Sequence, residues 1–304
     1  MTEEKKYTVT LAGFLITFLG SVLFSTKAVI VKVAFAKTPM DAITLLTLRM
    51  AFSLPFYIFA AWMASNKKDV TPITTKQWCY IIFLGLFGYY LSSLFDFLGL
   101  QYISAGLERL ILFLYPTFAV LINFSVFKQS VSRIQWIALL LTYAGIVIAF
   151  ISEMQIDFDN PNFIWGSVLI FMCSITFSIY IVGSGRFIPS VGATRFTAYA
   201  MLASSFGVFV HFAFAGKVQD IQFAGTYWWY GILLAVAATV LPSFMIANGM
   251  KRIGSSNVAI ISAVGPVSTI IQAHFILDEK ISFEQILGTV LVVAGVLVIG
   301  RKKK

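Results

Sequence analysis

Glu108 and Arg109 stand side by side in the run Gly99 to Asn123, which is otherwise almost wholly apolar and is interrupted by Pro116. A charged side chain at mid-bilayer costs about 2.5–3.5 kcal/mol on insertion scales, so such groups face a bundle interior, a partner or a water-filled path. Lys27, Arg49 and Asp96 are set in neighbouring apolar runs in the same way. In a short antiparallel hairpin, residues at equal depth have numbers that sum to a constant fixed by the loop. Asp96 and Arg109 sum to 205 around a loop centred near 101 and 102, and Lys27 and Arg49 sum to 76 around a loop centred near 38. The first pair is therefore expected to meet, leaving Glu108 unpartnered and free to carry a proton. If the two hairpins converge, three cations face two carboxylates, a balance suited to an anionic or zwitterionic small molecule.

The elements that must position these groups follow from composition. Of 304 residues, 59% are hydrophobic and 12% charged, and the mean hydropathy is +0.88. Soluble domains carry about 25% charged residues, so a soluble fold is excluded. The net charge of +9 comes from basic residues scattered between apolar runs and gathered at Arg301 to Lys304. That pattern marks topology rather than nucleic-acid binding. Cys79 and Cys173 lie within apolar runs without other metal ligands nearby and read as packing residues. No cofactor or metal site is expected.

A span needs about 20 mostly apolar residues. Cutting at polar and Pro/Gly-rich breaks gives ten segments: 10–34, 42–64, 77–98, 104–126, 134–152, 162–184, 191–215, 226–248, 255–277 and 282–300. With the N-terminus cytoplasmic, fifteen Lys and Arg fall on the inner side and only Lys37, Lys217 and Lys280 on the outer. Both termini are thus expected in the cytoplasm, in a multi-pass chain of the cell (bacterial inner) membrane. The first segment reads as a retained helix rather than a cleaved signal peptide.

A shift of 150 lays residues 78–145 on 228–295 without a gap and gives 15 identities, among them Trp78 with Trp228, Gly99 with Gly249, Pro116 with Pro266 and Gln135 with Gln285. A shift of 146 places Gly20-Ser21-Val22-Leu23 on Gly166-Ser167-Val168-Leu169 and Arg49 on Arg195. The reading is an all-α integral membrane protein of ten helices in two repeats of five, 10–152 and 160–300. Five is odd, so the copies have inverted topology, as in many secondary transporters.

The order Gly20-Ser21 to Lys27, Leu48-Arg49-Met50, Gly99 to Ala105, Pro116 and Ala144-Gly145, echoed by Gly249-Met250, Pro266, Asp278-Glu279-Lys280 and Ala294-Gly295, resembles the EamA module of the drug/metabolite transporter superfamily. The resemblance implies an alternating-access carrier or exporter of small metabolites such as amino acids or related organic solutes. In one departure, the acid usual after the fourth span of each copy is kept only as Glu279, since the first copy reads Lys128-Gln129-Ser130.

Pro116 and Pro266 are expected to break spans four and nine and to free the carbonyls of Leu112 and Ser262. Arg109, Pro116, Val120 and Asn123 would share one stripe of an unbroken helix. The second copy replaces the charges, with Asp96, Glu108 and Arg109 falling on Ile246, Val258 and Ala259. Its polar groups are milder, among them Tyr180, Asn248 and Asn257. The substrate-binding candidates are therefore Lys27, Arg49, Asp96, Glu108, Arg109, Asn123, Tyr180 and Asn248, with Glu108 also the proton-coupling candidate. His211 and His274 read as helix-end residues, each a lesser candidate for sensing protons. A phosphate-ester or nucleotide-sugar antiporter is the alternative, weakened because two carboxylates offset the buried positive charge. The enzyme motifs Gly-x-Ser-x-Gly and His-Glu-x-x-His are absent, as is a P-loop. The partners implied are a small molecule and the lipid bilayer, with proton coupling open and oligomeric state undetermined.

Overall fold

A computed structural model describes residues 10–66, 71–127, 136–137, 140–141, 143–148, 160–225, 227–262 and 264–300. The described residues are helical apart from short turns and extended connections, as a lipid environment demands when every backbone donor and acceptor must be satisfied within the segment. Among the described residues, seven helices are long and apolar enough to cross a membrane, and Val264–Leu277 and Phe283–Gly295 are shorter apolar helices. About half of the expected fifth span (134–152) lies outside the described residues, and the described part, 136–137, 140–141 and 143–148, is helical.

Helix α1 (Leu11–Lys37) starts at the Thr10 cap and α2 (Ala42–Ser65) at the Asp41 cap, whose side chains accept from Gly13 and Thr44 N–H. The third span begins with a Thr74/Gln77 capping box and runs through α3 (Thr75–Phe83), a π segment (Leu84–Tyr90) and α4 (Leu91–Gly99). The fourth divides into α5 (Ala105–Leu112) and α6 (Tyr115–Phe127). In the second half, α7 (Phe163–Val191) and α8 (Ala193–Ala215) meet at Gly192, whose φ of 91° makes the turn that a Cβ would resist. A short α9 (Val218–Ala224), not expected from the sequence, precedes α10 (Trp228–Ala235), a second π segment (Val236–Val240) and α11 (Leu241–Ile261). The chain closes with α12 (Val264–Leu277) and α13 (Phe283–Gly300). Under the 150-residue shift, Leu86–Tyr90 of the first π segment falls on Val236–Val240 of the second.

One boundary differs from expectation. The polar stretch Lys251 to Ser256 is not a loop, because α11 continues through it to Ile261. Exposed Lys251 and Arg252 are tolerated on a helix, where the backbone pairs with itself. The helix ends at Ile261 instead, and the next, starting at Val264, carries Pro266 in its first turn. Both prolines thus sit in the first turn of a restarted helix, where the missing N–H is harmless. The Ser262 carbonyl is not free, since it accepts from Gly265 N–H at 2.9 Å. Because the fourth span breaks at Phe113–Leu114, the Arg109 to Asn123 stripe does not run continuously. The side chains of Val120, Asn123 and Asn257 lie outside the described residues.

The two halves interlock: α1 packs against α11 and α12, α2 against α8, and α4 against α7. Phe59, Trp62, Trp165, Phe206, Phe214 and Phe275 are exposed on the outside, as suits a lipid-facing surface. Cys173 is buried in the core, and Cys79 is exposed.

Small residues allow the close contacts between halves. A Cβ on Gly85 would collide with the backbone carbonyl of Ala200, whereas one on Gly185 would meet nothing within 4 Å. Gly85→Ala is expected to destabilise the detergent-purified protein by about 1–3 kcal/mol. Gly185→Ala is expected to stabilise it by about 0.5–1 kcal/mol. Denaturation in a mixed-micelle titration reads both.

Candidate functional site

Lys27 reaches out from α1 between two carboxylates, with Nζ 2.8 Å from Asp96 Oδ2 and 3.8 Å from Glu108 Oε1. Asp96 and Glu108 are fully buried, and Lys27, Arg109 and Arg49 are at most 6% exposed. The facing residue differs from expectation: Glu108, rather than Arg109, joins Asp96 at Lys27. Adjacent helix positions share a depth and point about 100° apart. Only one can face α4, and Glu108 is therefore not without a partner.

Arg109 turns instead toward α1 and α12. Its Nη2 donates to Ser25 Oγ at 3.1 Å, its guanidinium carbon lies 5.3 Å from the Phe24 ring centre, and its Nε has no hydrogen-bond partner among the described residues. Ser25 is fixed in turn, donating from its hydroxyl to Ser21 O and accepting at its carbonyl from Thr269 Oγ1. Gly265 borders the same guanidinium edge, for a Cβ there would stand 3.3 Å from both Nε and Nη2.

Arg49 is held differently. Its Nε donates to Thr239 Oγ1 at 2.7 Å, Nη2 to Tyr89 Oη at 3.0 Å and Nη1 to Ser93 Oγ at 3.5 Å. Thr239 lies in the second π segment, so this arginine ties the halves together. Among the described residues, neither Arg49 nor Arg109 forms an ion pair with a carboxylate.

Three adjoining cavities share Phe24 and Phe177 in their walls. The first, with about 70 Å³ free to the centres of water-sized spheres, is walled by Arg109, Tyr115, Ile246, Val258 and Ser262 among others. The second is narrow and is lined by Lys27 and Arg49, both from the first hairpin. In the third, Tyr180 stands with Tyr89, Ser184 and Thr197, its ring 5.5 Å from that of Tyr89. Asn248 is elsewhere: its Nδ2 donates to Phe244 O at 2.8 Å, and it borders an open polar mouth with Arg195 and Lys251.

Sequence reasoning missed several participants. Glu279, from the turn after α12, accepts from the Ala105 and Gly106 N–H groups at 3.0 and 3.3 Å and so caps α5, together with Ser104. Lys32 Nζ donates to the Leu100 and Ile103 carbonyls on the neighbouring turn. Helix ends announce a need for such partners but not where they come from. His211 Nδ1 pairs with Tyr90 Oη and His274 Nδ1 with Glu279 O, each at 2.9 Å.

Two stretches, residues 11–151 and 164–301, match the model of the EamA-like transporter family. The chain belongs to the EamA-like transporter family. It is 30% identical to the uncharacterized transporter YcbK of Bacillus subtilis over 94% of this chain and 92% of that one. An uncharacterized transporter of Archaeoglobus fulgidus is 24% identical over 81% of this chain and 86% of its own. A solved crystal structure aligns over 96% of this chain and 97% of its own with a TM-score of 0.68 at 19% identity, which shows a shared fold. The protein is a multi-pass membrane transporter and not an enzyme.

Removing one member of a buried charge group leaves the others uncompensated. Lys27→Met is expected to cost about 3–5 kcal/mol, and adding Asp96→Asn with Glu108→Gln should recover most of it. Glu279→Ala should cost about 1 kcal/mol through the uncapped helix. Thermal melts of the detergent-purified variants check both.

Proposed function

We propose that this EamA transporter is a secondary carrier or exporter of small organic solutes bearing a carboxylate, amino acids and related metabolites among them, working by alternating access. Its two halves are read as inverted-topology repeats, 10–152 and 160–300, in a cell membrane with both termini cytoplasmic. The excess of Lys and Arg in the inner segments supports that orientation. The observation that carries the substrate reading is Arg109: a buried guanidinium with no ion-pair partner and an unsatisfied Nε, bordering a cavity between the halves. Charge-assisted, bidentate pairing is the strongest use of such a group.

Lys27, Arg49 and Arg109 against Asp96 and Glu108 leave one positive charge in excess, which one anionic substrate would balance. Glu108 remains the proton-coupling residue in this reading, for a reason other than isolation. Two carboxylates sharing one ammonium carry a net negative charge, so one further proton neutralises the group. Tyr180 supplies part of the wall, and Asn248 is a secondary contact in the open polar recess beside Arg195 and Lys251. The helix restarts at Pro116 and Pro266 flank the cavity, as broken helices do in other transporter sites.

A ligand at 100 times its Kd stabilises its protein by about 2.7 kcal/mol. Thermal shifts across amino acids, organic acids, phosphate esters and nucleotide sugars should appear with carboxylates and vanish in Arg109→Ala. Shifts confined to phosphate esters would instead favour the antiporter. In proteoliposomes, Glu108→Gln should abolish pH-driven uptake while leaving the ligand-induced shift in place, and unchanged coupling would remove Glu108 from the proton path.

A further inference from the structure

The cavity beside Arg109 is one-sided in its chemistry. Its only charged lining residue, among the described residues, is Arg109, whose buried Nε lacks a hydrogen-bond partner. Phe24, Phe177, Ile246 and Val258 line the same cavity, the Phe24 ring centre 5.3 Å from the guanidinium carbon. Ser21 and Ser262, which also line it, are hydrogen-bonded to each other at 2.9 Å. No carboxylate lines this cavity or the two that adjoin it, among the described residues. Asp96 and Glu108 are fully buried behind Lys27, whose side chain lines the second cavity. Under the 150-residue shift, the counterparts of Asp96 and Glu108 are Ile246 and Val258, so the second half presents hydrocarbon to this cavity where it could have presented acid.

An α-amino acid brings an ammonium as well as a carboxylate. Removing that ammonium from water without a carboxylate or several acceptors to receive it is strongly unfavourable. The free space, about 70 Å³ beside Arg109 and about 50 Å³ in the adjoining Tyr180 cavity, has room for several water molecules or for one small organic body.

We propose that the substrate is an apolar monocarboxylate without an amino group, its carboxylate paired with Arg109 and its alkyl or aryl body among Phe24, Phe177, Ile246 and Val258. The proposal rests on the transport function above and narrows its substrate class.

Matched pairs test it on the full-length protein: 3-phenylpropanoate against phenylalanine and 4-methylpentanoate against leucine, with 3-phenylpropanamide as the neutral control. Melting shifts and counterflow in proteoliposomes should rank each acid at least tenfold tighter than its amino-acid partner, with the amide inert. Arg109→Ala, and Arg109→Lys, which keeps the charge but not the paired donors, should each weaken the acids at least tenfold. Amino acids binding as tightly as the acids would overturn the proposal and leave the transport reading intact. Acid binding that survives both variants would overturn the placement at Arg109. Transport of phosphate esters with no response to any carboxylate would overturn this proposal and the carboxylate reading together.

Discussion

Everything near the centre of this bundle is arranged around the cost of keeping Lys27 charged away from water. Its ammonium is held by Asp96 from α4 and Glu108 from α5, so three helices of the first half are fixed by one electrostatic contact. An isolated ion in that position would be several kcal/mol too costly. With the acids committed to Lys27, the two arginines must be satisfied by neutral groups. Arg49 is fully provided for by Thr239, Tyr89 and Ser93, and Arg109 is not. One buried guanidinium is thus held by three side chains across the two halves, and the other keeps an unpartnered Nε.

The repeat supplies the frame, and its divergence supplies the chemistry. The two π segments recur at matching places, and each later helix restarts just ahead of a proline. Yet the acids of the first half are matched by Ile246 and Val258 in the second. The pocket between the halves therefore takes its one charged lining residue, Arg109, from the first half, an asymmetry that a perfectly symmetric duplication could not produce.

Much of this was legible in the chain itself, because mid-span charge is expensive and therefore conspicuous. Lys27, Arg49, Asp96, Glu108 and Arg109 stand out for that reason, and hairpin arithmetic places them at common depths. Rotation about a helix axis is not encoded in depth, so whether Glu108 or Arg109 faces Asp96 was out of reach. The partners of Arg49 were equally hidden, since Thr239 and Tyr89 are ordinary in composition and become notable only beside a guanidinium. The stretch Lys251 to Ser256 misled for a related reason: polar residues mark the end of an apolar run, whereas a helix ends where its hydrogen-bond ladder ends. Glu279 was visible as an outlier without its role, because its partners are backbone N–H groups more than 170 residues away.

That distant cap has a mechanical meaning. The helix it closes is two turns long, bears Arg109 near its inner end, and is severed from its continuation at Phe113–Leu114. Such a segment is a lever with a latch at one end and a hinge at the other. Drawing the Asp278–Lys280 turn away would uncap the segment that carries Arg109, so a parting of the halves at that end would reach this guanidinium without any other connection between them.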